Sequence, residues 1–236
     1  MTAANLPECV RGLLAETGVE AHPYRLVGAG FLVAFRQFGF FVTAKHVINT
    51  QSADTELVFP IGPTDMIVLR RQGLLDGQDS FQDLAFYPYP ATRFDQVAPE
   101  WRDIALPLTP SLVQTGRKHF QSGAEMCAVG IPQDTRSIDY DSGRIQLTTV
   151  AVSGVYESPD PDRRWVHRGK FSETAGLTSY HGLSGSPVFT TVPPFVGLAG
   201  CLIEAGEASG PFHFIDSLVL WNAASIACRD LEPGPA

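Results

Sequence analysis

His181-Gly182-Leu183-Ser184-Gly185-Ser186-Pro187-Val188 sets one serine between two glycines and brings a proline up to an apolar run. Glycine adopts backbone angles that other residues avoid, and it leaves room for a substrate carbonyl to approach. A tight turn here aims the N–H groups of Gly182 and Ser184 at one point, which is the geometry of an oxyanion hole. Taken by itself, the stretch also reads as a Gly-Ser surface turn.

Two further stretches supply what a hydroxyl nucleophile needs. Phe40-Phe41-Val42-Thr43-Ala44-Lys45-His46-Val47-Ile48 ends an apolar run on a histidine, and Gln82-Asp83-Leu84-Ala85-Phe86 opens one on an aspartate. Alone, such a histidine is more often a packed or surface residue, and such an aspartate a strand-end cap. Together with Ser184 they make a set in which a base takes the serine proton and a carboxylate orients the base. Trp101-Arg102-Asp103-Ile104-Ala105-Leu106 offers a rival carboxylate. Asp83 is preferred, because the run after Asp103 meets Pro107 and Pro110 at once and proline removes a ladder donor.

Short β-like runs at 31–35, 38–44, 56–60, 65–70 and 83–87 are separated by Gly, Pro, Asn, Asp and Ser. A second β-rich block occupies 125–132, 143–156, 185–189, 195–203 and 212–215. Strands so closely spaced predict antiparallel barrels or sandwiches, not βαβ units. Residues 88–124 read as a long loop and a crossing segment. Leu6, Val10, Leu13 and Leu14 share a face if 5–17 is helical, and 216–231 reads as a closing helix with Asp216 as its N-cap. The expected organisation is an N-terminal helical segment (1–20), a first β-barrel carrying His46 and Asp83 (21–120), and a second carrying Ser184 plus the closing helix (121–236).

The order His, Asp, Ser and the segments Thr43-Ala44-Lys45-His46-Val47, Asp83-Leu84-Ala85 and Gly182-Leu183-Ser184-Gly185-Ser186-Pro187 resemble the signatures of chymotrypsin-fold (trypsin-like) serine peptidases. They are most similar to the bacterial branch that includes glutamyl endopeptidases, and Phe195-Val196-Gly197-Leu198 is similar to the strand that follows the nucleophile there. The resemblance spans about residues 25–220. It implies an all-β protein of two antiparallel six-stranded barrels with the active site between them. It also implies serine endopeptidase activity, with Ser184 as nucleophile, His46 as general base, Asp83 as orienting carboxylate, and Gly182 and Ser184 as the oxyanion hole. His46 Nε2 is expected within hydrogen-bond reach of Ser184. Leu183 stands where animal trypsins carry an aspartate that pairs with a new N-terminus on activation. That ion pair is therefore unavailable, and a hole preformed by packing is expected.

The resemblance further implies a P1 pocket walled by residues just before the nucleophile and by the later strand. Thr178 occupies the place of the trypsin pocket aspartate, and Ala199, beside Gly200, that of the glutamyl endopeptidase histidine. With no charge at either place an uncharged P1 side chain is expected, because an unpaired buried charge is costly. Glu204 or Glu207, entering from a loop, would overturn this. His181 either lines the cleft or is an exposed loop histidine.

Composition narrows the alternatives. The 236 residues are 44% apolar and 18% charged, which is enough to build a core and excludes coiled-coil and mostly disordered chains. The net charge of −8, without a basic run, argues against a nucleic-acid partner. No apolar run suits a membrane span. No basic-then-apolar start indicates secretion, so a cytoplasmic setting is expected. The cysteines Cys9, Cys127, Cys201 and Cys228 are widely separated, with no C-x-x-C pair and no histidine spacing that suggests a metal, so reduced thiols and no cofactor are expected. Expected partners are a protein or peptide substrate and a regulatory or targeting protein. The competing function is a catalytically quiet module of the same fold that binds a peptide or partner.

Overall fold

The computed structural model describes residues 6, 8–61, 66–69, 83–89, 103–139, 144–172, 176–177, 179–192, 195–206 and 210–231. The first half contains strands β1 (Val10–Glu16), β2 (Tyr24–Phe35), β3 (Phe38–Ala44), β4 (Leu57–Pro60), β5 (Met66–Leu69), β6 (Leu84–Tyr89) and β7 (Leu106–Pro107). A short helix α1 (Lys45–Asn49) follows β3, and α2 (Pro110–Lys118) follows β7. The second half contains β8 (Glu125–Gly130), β9 (Arg136–Asp139), β10 (Arg144–Leu147), β11 (Val150–Pro159), β12 (Val166–Phe171), β13 (Pro187–Val192), β14 (Phe195–Ala205), β15 (Pro211–Asp216) and the closing helix α3 (Ser217–Leu231).

The second half closes as a six-stranded barrel in the order β11-β12-β15-β14-β13-β8, with β9 and β10 forming a separate ribbon. The first half is a seven-stranded sheet, β5-β4-β1-β2-β3-β6 with β7 beside β2, and is open among the described residues. The fold is thus mostly β and chymotrypsin-like, but only one of the two expected barrels closes. The closed barrel is filled by apolar side chains including Met126, Val152, Phe171, Leu183, Val188, Ala199, Leu202, Phe212 and Phe214. Among the described residues no helix is long and apolar enough to cross a membrane.

The expected N-terminal helix is a strand. β1 pairs antiparallel with β2 over Val10–Glu16 and with β4 through Leu14 and Ala15. Leu13, Leu14 and Ala15 are all fully buried, so both faces of the segment are covered. A segment covered on both sides needs no alternation, and its leucines match helical spacing equally well. Pairing on both edges overrides the local preference.

α2 lies within the stretch read as loop. Thr109 caps it by accepting from the Leu112 N–H at 3.2 Å, and Pro110 opens the first turn. That Thr-Pro pair is a legible start signal. The helix docks on β14 at Gly116, where an added Cβ would sit 2.0 Å from the Leu198 carbonyl oxygen. Backbone cannot give way as a side chain can, so Gly116→Ala is expected to destabilise by about 1–3 kcal/mol. Thermal unfolding followed by circular dichroism checks this. An unchanged midpoint would show that α2 lifts from the barrel at no cost.

α3 follows the expected design. Asp216 Oδ1 accepts from the Leu218 N–H at 2.8 Å, so it serves as a cap. Its Oδ2 is buried against Arg117 Nε at 3.0 Å and lies 3.4 Å from His167 Nε2. One carboxylate therefore joins α2, β12 and the start of α3.

Candidate active site

His46 sits in the first turn of α1, a helix whose N-cap residue, Ala44, has no side chain to satisfy the free amides. Asp83 supplies the missing acceptors from the start of β6. Its carbonyl accepts from the Lys45 N–H at 3.0 Å, and its Oδ1 accepts from the His46 N–H at 2.8 Å. Its Oδ2 lies 2.7 Å from His46 Nδ1. The carboxylate thus holds both the backbone and the ring of His46. Pairing of Ala44 with Leu84 in the β3–β6 ladder fixes the register that brings them together.

That contact holds the His46 pKa above the ordinary imidazole value. The hydrogen bond from Asp83 is the largest cause, and burial works against it. The charges of Asp83 and Glu204 add to the rise. Asp103, the rival carboxylate, is exposed at 103–104 in a short helical turn.

Ser184 lies in the turn leading into β13, where the two sheets meet. Its carbonyl accepts from the Ala29 N–H of β2 at 3.2 Å. Gly185 adopts φ +91°, and a Cβ there would lie 2.0 Å from the Ala29 carbonyl oxygen. No other residue fits, so the glycine after the serine is imposed by close packing as well as by conformation. Leu183 is fully buried in the barrel interior. It packs over Gly130, whose added Cβ would lie 2.7 Å from Leu183 Cδ2.

Gly182 also has φ +91°. The His181 carbonyl before it accepts from the Gln133 N–H at 2.8 Å. A trans peptide directs its N–H away from its carbonyl, so the Gly182 N–H faces away from Gln133. Neither this N–H nor that of Ser184 donates to an acceptor among the described residues. His181 itself is exposed.

The Ser184 hydroxyl donates to the Ile203 carbonyl at 3.3 Å, and no hydrogen bond joins it to His46. Catalytic hydrogen bonds without substrate are often long or misaligned. Ser186, the neighbouring serine, is fully buried.

Of the expected substrate-binding residues, Ala199 and Gly200 lie within the described part of β14. Ala199 is fully buried inside the closed barrel, and Gly200 is paired with Asp216 of β15. The part of β14 that reaches Ser184 is Ile203, and Glu204 follows it. The ladder slips between Leu202 and Glu204, a bulge that shifts the strand relative to a simple count from Phe195. Thr178 and Glu207 lie outside the described residues. Glu204, expected to overturn an uncharged pocket if it entered one, directly follows Ile203 at that bulge, which no local sequence signal marks.

Among the described residues no group of His, Cys, Asp and Glu has the arrangement of a metal site. The cysteines are free thiols; Cys9, Cys201 and Cys228 are buried, and burial raises the Cys9 pKa to about 12.

Together the sheet topology and the barrel junction define a protein of the chymotrypsin-like serine-protease fold. No family model matches the chain, and no curated protein matches it in sequence. Among solved structures, human heparin binding protein superposes with a TM-score of 0.62 at 15% identity, covering 100% of this chain and 98% of its own. A likeness at that identity is one of fold. These comparisons do not support the expected likeness to the glutamyl endopeptidase branch.

Proposed function

We propose that the chain is a serine endopeptidase. The observation that carries this reading is the double hold of Asp83 on His46, at 2.8 Å to its backbone N–H and 2.7 Å to its ring, together with a Gly-Leu-Ser-Gly turn whose Gly182 and Ser184 amides meet no acceptor among the described residues. In the proposed reaction His46 Nε2 takes the proton of Ser184 as its Oγ bonds to the substrate carbonyl carbon. The oxyanion accepts hydrogen bonds from the N–H groups of Gly182 and Ser184. Protonated His46 then gives its proton to the departing amine, and the peptide bond breaks. Water, activated by the same histidine, attacks the acyl-Ser184 ester and releases the acid.

Burial of Leu183 in place of an ion pair supports a hole that is preformed and needs no proteolytic activation. Free, buried thiols suit a reducing compartment and hence a cytoplasmic enzyme. A second reading, a quiet peptide-binding module, is favoured by one observation: Ser184 Oγ donates to Ile203 and not to His46.

Incubation of the purified chain with a fluorophosphonate separates the two. The peptidase reading expects a stoichiometric adduct on the peptide containing Ser184, without added partner. A folded protein that takes no adduct overturns it and leaves the binding module.

A further inference from the structure

Beyond Ile203 the cleft is bordered by a linked set of charges. Glu204 Oε1 accepts from Arg163 at 2.9 Å and its Oε2 from the same guanidinium at 3.2 Å, so the pair is bidentate. Arg163 is held from behind by Asp160, through Nε at 3.2 Å and through its terminal nitrogen at 3.0 Å. His213 Nδ1 lies 3.0 Å from Glu204 Oε2, and its Nε2 lies 3.6 Å from Asp160. Arg168 stands opposite His213 in the β12–β15 ladder. Among the described residues it forms no ion pair with Glu204.

Two features distinguish Glu204 within this set. Its side chain is 54% exposed, against 31% for Arg163, 19% for His213 and 8% for Asp160, so it is the most exposed member of the set. It also follows directly the residue whose carbonyl receives the Ser184 hydroxyl, and its charge is felt by His46. Asp160 and Glu204 share the single Arg163 guanidinium, so the set carries one net negative charge when His213 is neutral, and Glu204 is its most exposed carboxylate. Burial disfavours the protonated form of His213, as does the Arg163 charge. Arg163 has four of its five N–H groups engaged by Asp160 and Glu204, so it cannot clamp a third carboxylate in fork geometry. A cavity of about 120 Å³ beside this set is lined by Glu204, Asp83, Arg163, Arg164 and Ile203, so two carboxylates and two guanidinium groups border it.

We infer that Glu204 is a specificity-determining residue that selects peptides carrying a Lys or Arg side chain close to the bond presented to Ser184. The inference rests on the peptidase reading for its use of the cleft, and it names the substrate class: basic, not neutral, at that position. Arg163 and His213 are positioning residues that hold the carboxylate in one orientation and moderate its field.

The test uses the full chain carrying Ser184→Ala, so that binding is measured without turnover. The probes are fluorescein-labelled hexapeptide amides in which each position in turn is Lys, Gln or Glu, titrated by fluorescence anisotropy. One position is expected to show Lys binding tighter than Gln, by about 3–10-fold for a partly exposed charge pair. Adding Glu204→Gln is expected to abolish that difference between the Lys and Gln peptides. Adding Arg163→Gln is expected to enlarge it, because Glu204 loses its counter-ion. A merely structural role would weaken all peptides in both variants. Equal affinity for Lys and Gln at every position, retention of the preference in Glu204→Gln, or binding of no peptide overturns the inference. Hydrolysis of the same peptides by the unmodified chain is scored separately. Lys-selective binding without cleavage would sink the peptidase reading and keep the role of Glu204.

Discussion

Replacing Ser184 by alanine is expected to lower kcat toward peptide substrates by about 10⁶-fold, the loss typical of removing a nucleophile that acts as a unit with its base. The fold is expected to survive. The hydroxyl makes one hydrogen bond, to the Ile203 carbonyl at 3.3 Å, and the serine's carbonyl bond to the Ala29 N–H is retained by alanine. Losing a single long hydrogen bond costs about 0.5–1.5 kcal/mol. The Gly182 and Ser184 amides also remain, so a residual acceleration of about 10³–10⁴ over water is expected from the oxyanion hole and binding alone. Adding His46→Ala to this variant is expected to cost almost nothing more, since the base has no proton left to accept. Steady-state hydrolysis of a fluorogenic peptide by the single and double variants measures both effects. A Ser184→Ala protein that keeps more than a few per cent of activity would assign the chemistry elsewhere.

The parts of this site that were legible in the sequence are those fixed within a few residues. Gly182-Leu183-Ser184-Gly185 carries its turn in its own glycines, and each has the positive φ the turn requires. Asp83 was legible for a different reason. It opens the strand beside β3, so it falls at the free amides of α1 and satisfies them. What the sequence hid depends on partners far along the chain. Whether 10–16 is helix or strand is decided by β2 and β4, which cover both of its edges. Closure of a barrel is likewise a property of the whole set of strands. Ala199 and Gly200 illustrate the same limit at the site. β14 carries one register shift opposite Val188 and Phe189 and another between Leu202 and Glu204, and neither is written in the local sequence. Glu204 is held by Arg163, 41 residues earlier in the chain, and by His213 on the neighbouring strand β15.

Asp83→Asn is expected to lower kcat/KM by about 10⁴-fold through the tautomer of His46 and not through loss of structure. One carboxylate oxygen is committed to the His46 N–H at 2.8 Å, and an asparagine keeps that bond only with its amide oxygen in that place. Its NH2 group then faces His46 Nδ1, where Asp83 Oδ2 now lies at 2.7 Å. An NH2 group donates, so Nδ1 becomes the acceptor and the ring proton moves to Nε2. A ring protonated there cannot take the proton of Ser184. The pH profile moves as well. The Asp83 contact raises the His46 pKa, and the base works only when neutral, so activity in the unmodified protein rises as pH passes a value above the ordinary imidazole range. In the variant the surviving activity is expected to rise at lower pH. The raised folded-state pKa also means that this contact stabilises the protein fully below the unfolded imidazole value, and that the stabilisation is lost as pH rises through the folded value. The stability gap between the unmodified protein and Asp83→Asn is therefore expected to be wider near pH 6 than near pH 9. Nitrogen-15 shifts of the His46 ring report the tautomer, and pH-resolved kinetics report the limb. A variant whose ring keeps its proton on Nδ1, or whose acidic limb does not move, would show that Asp83 does not orient this histidine.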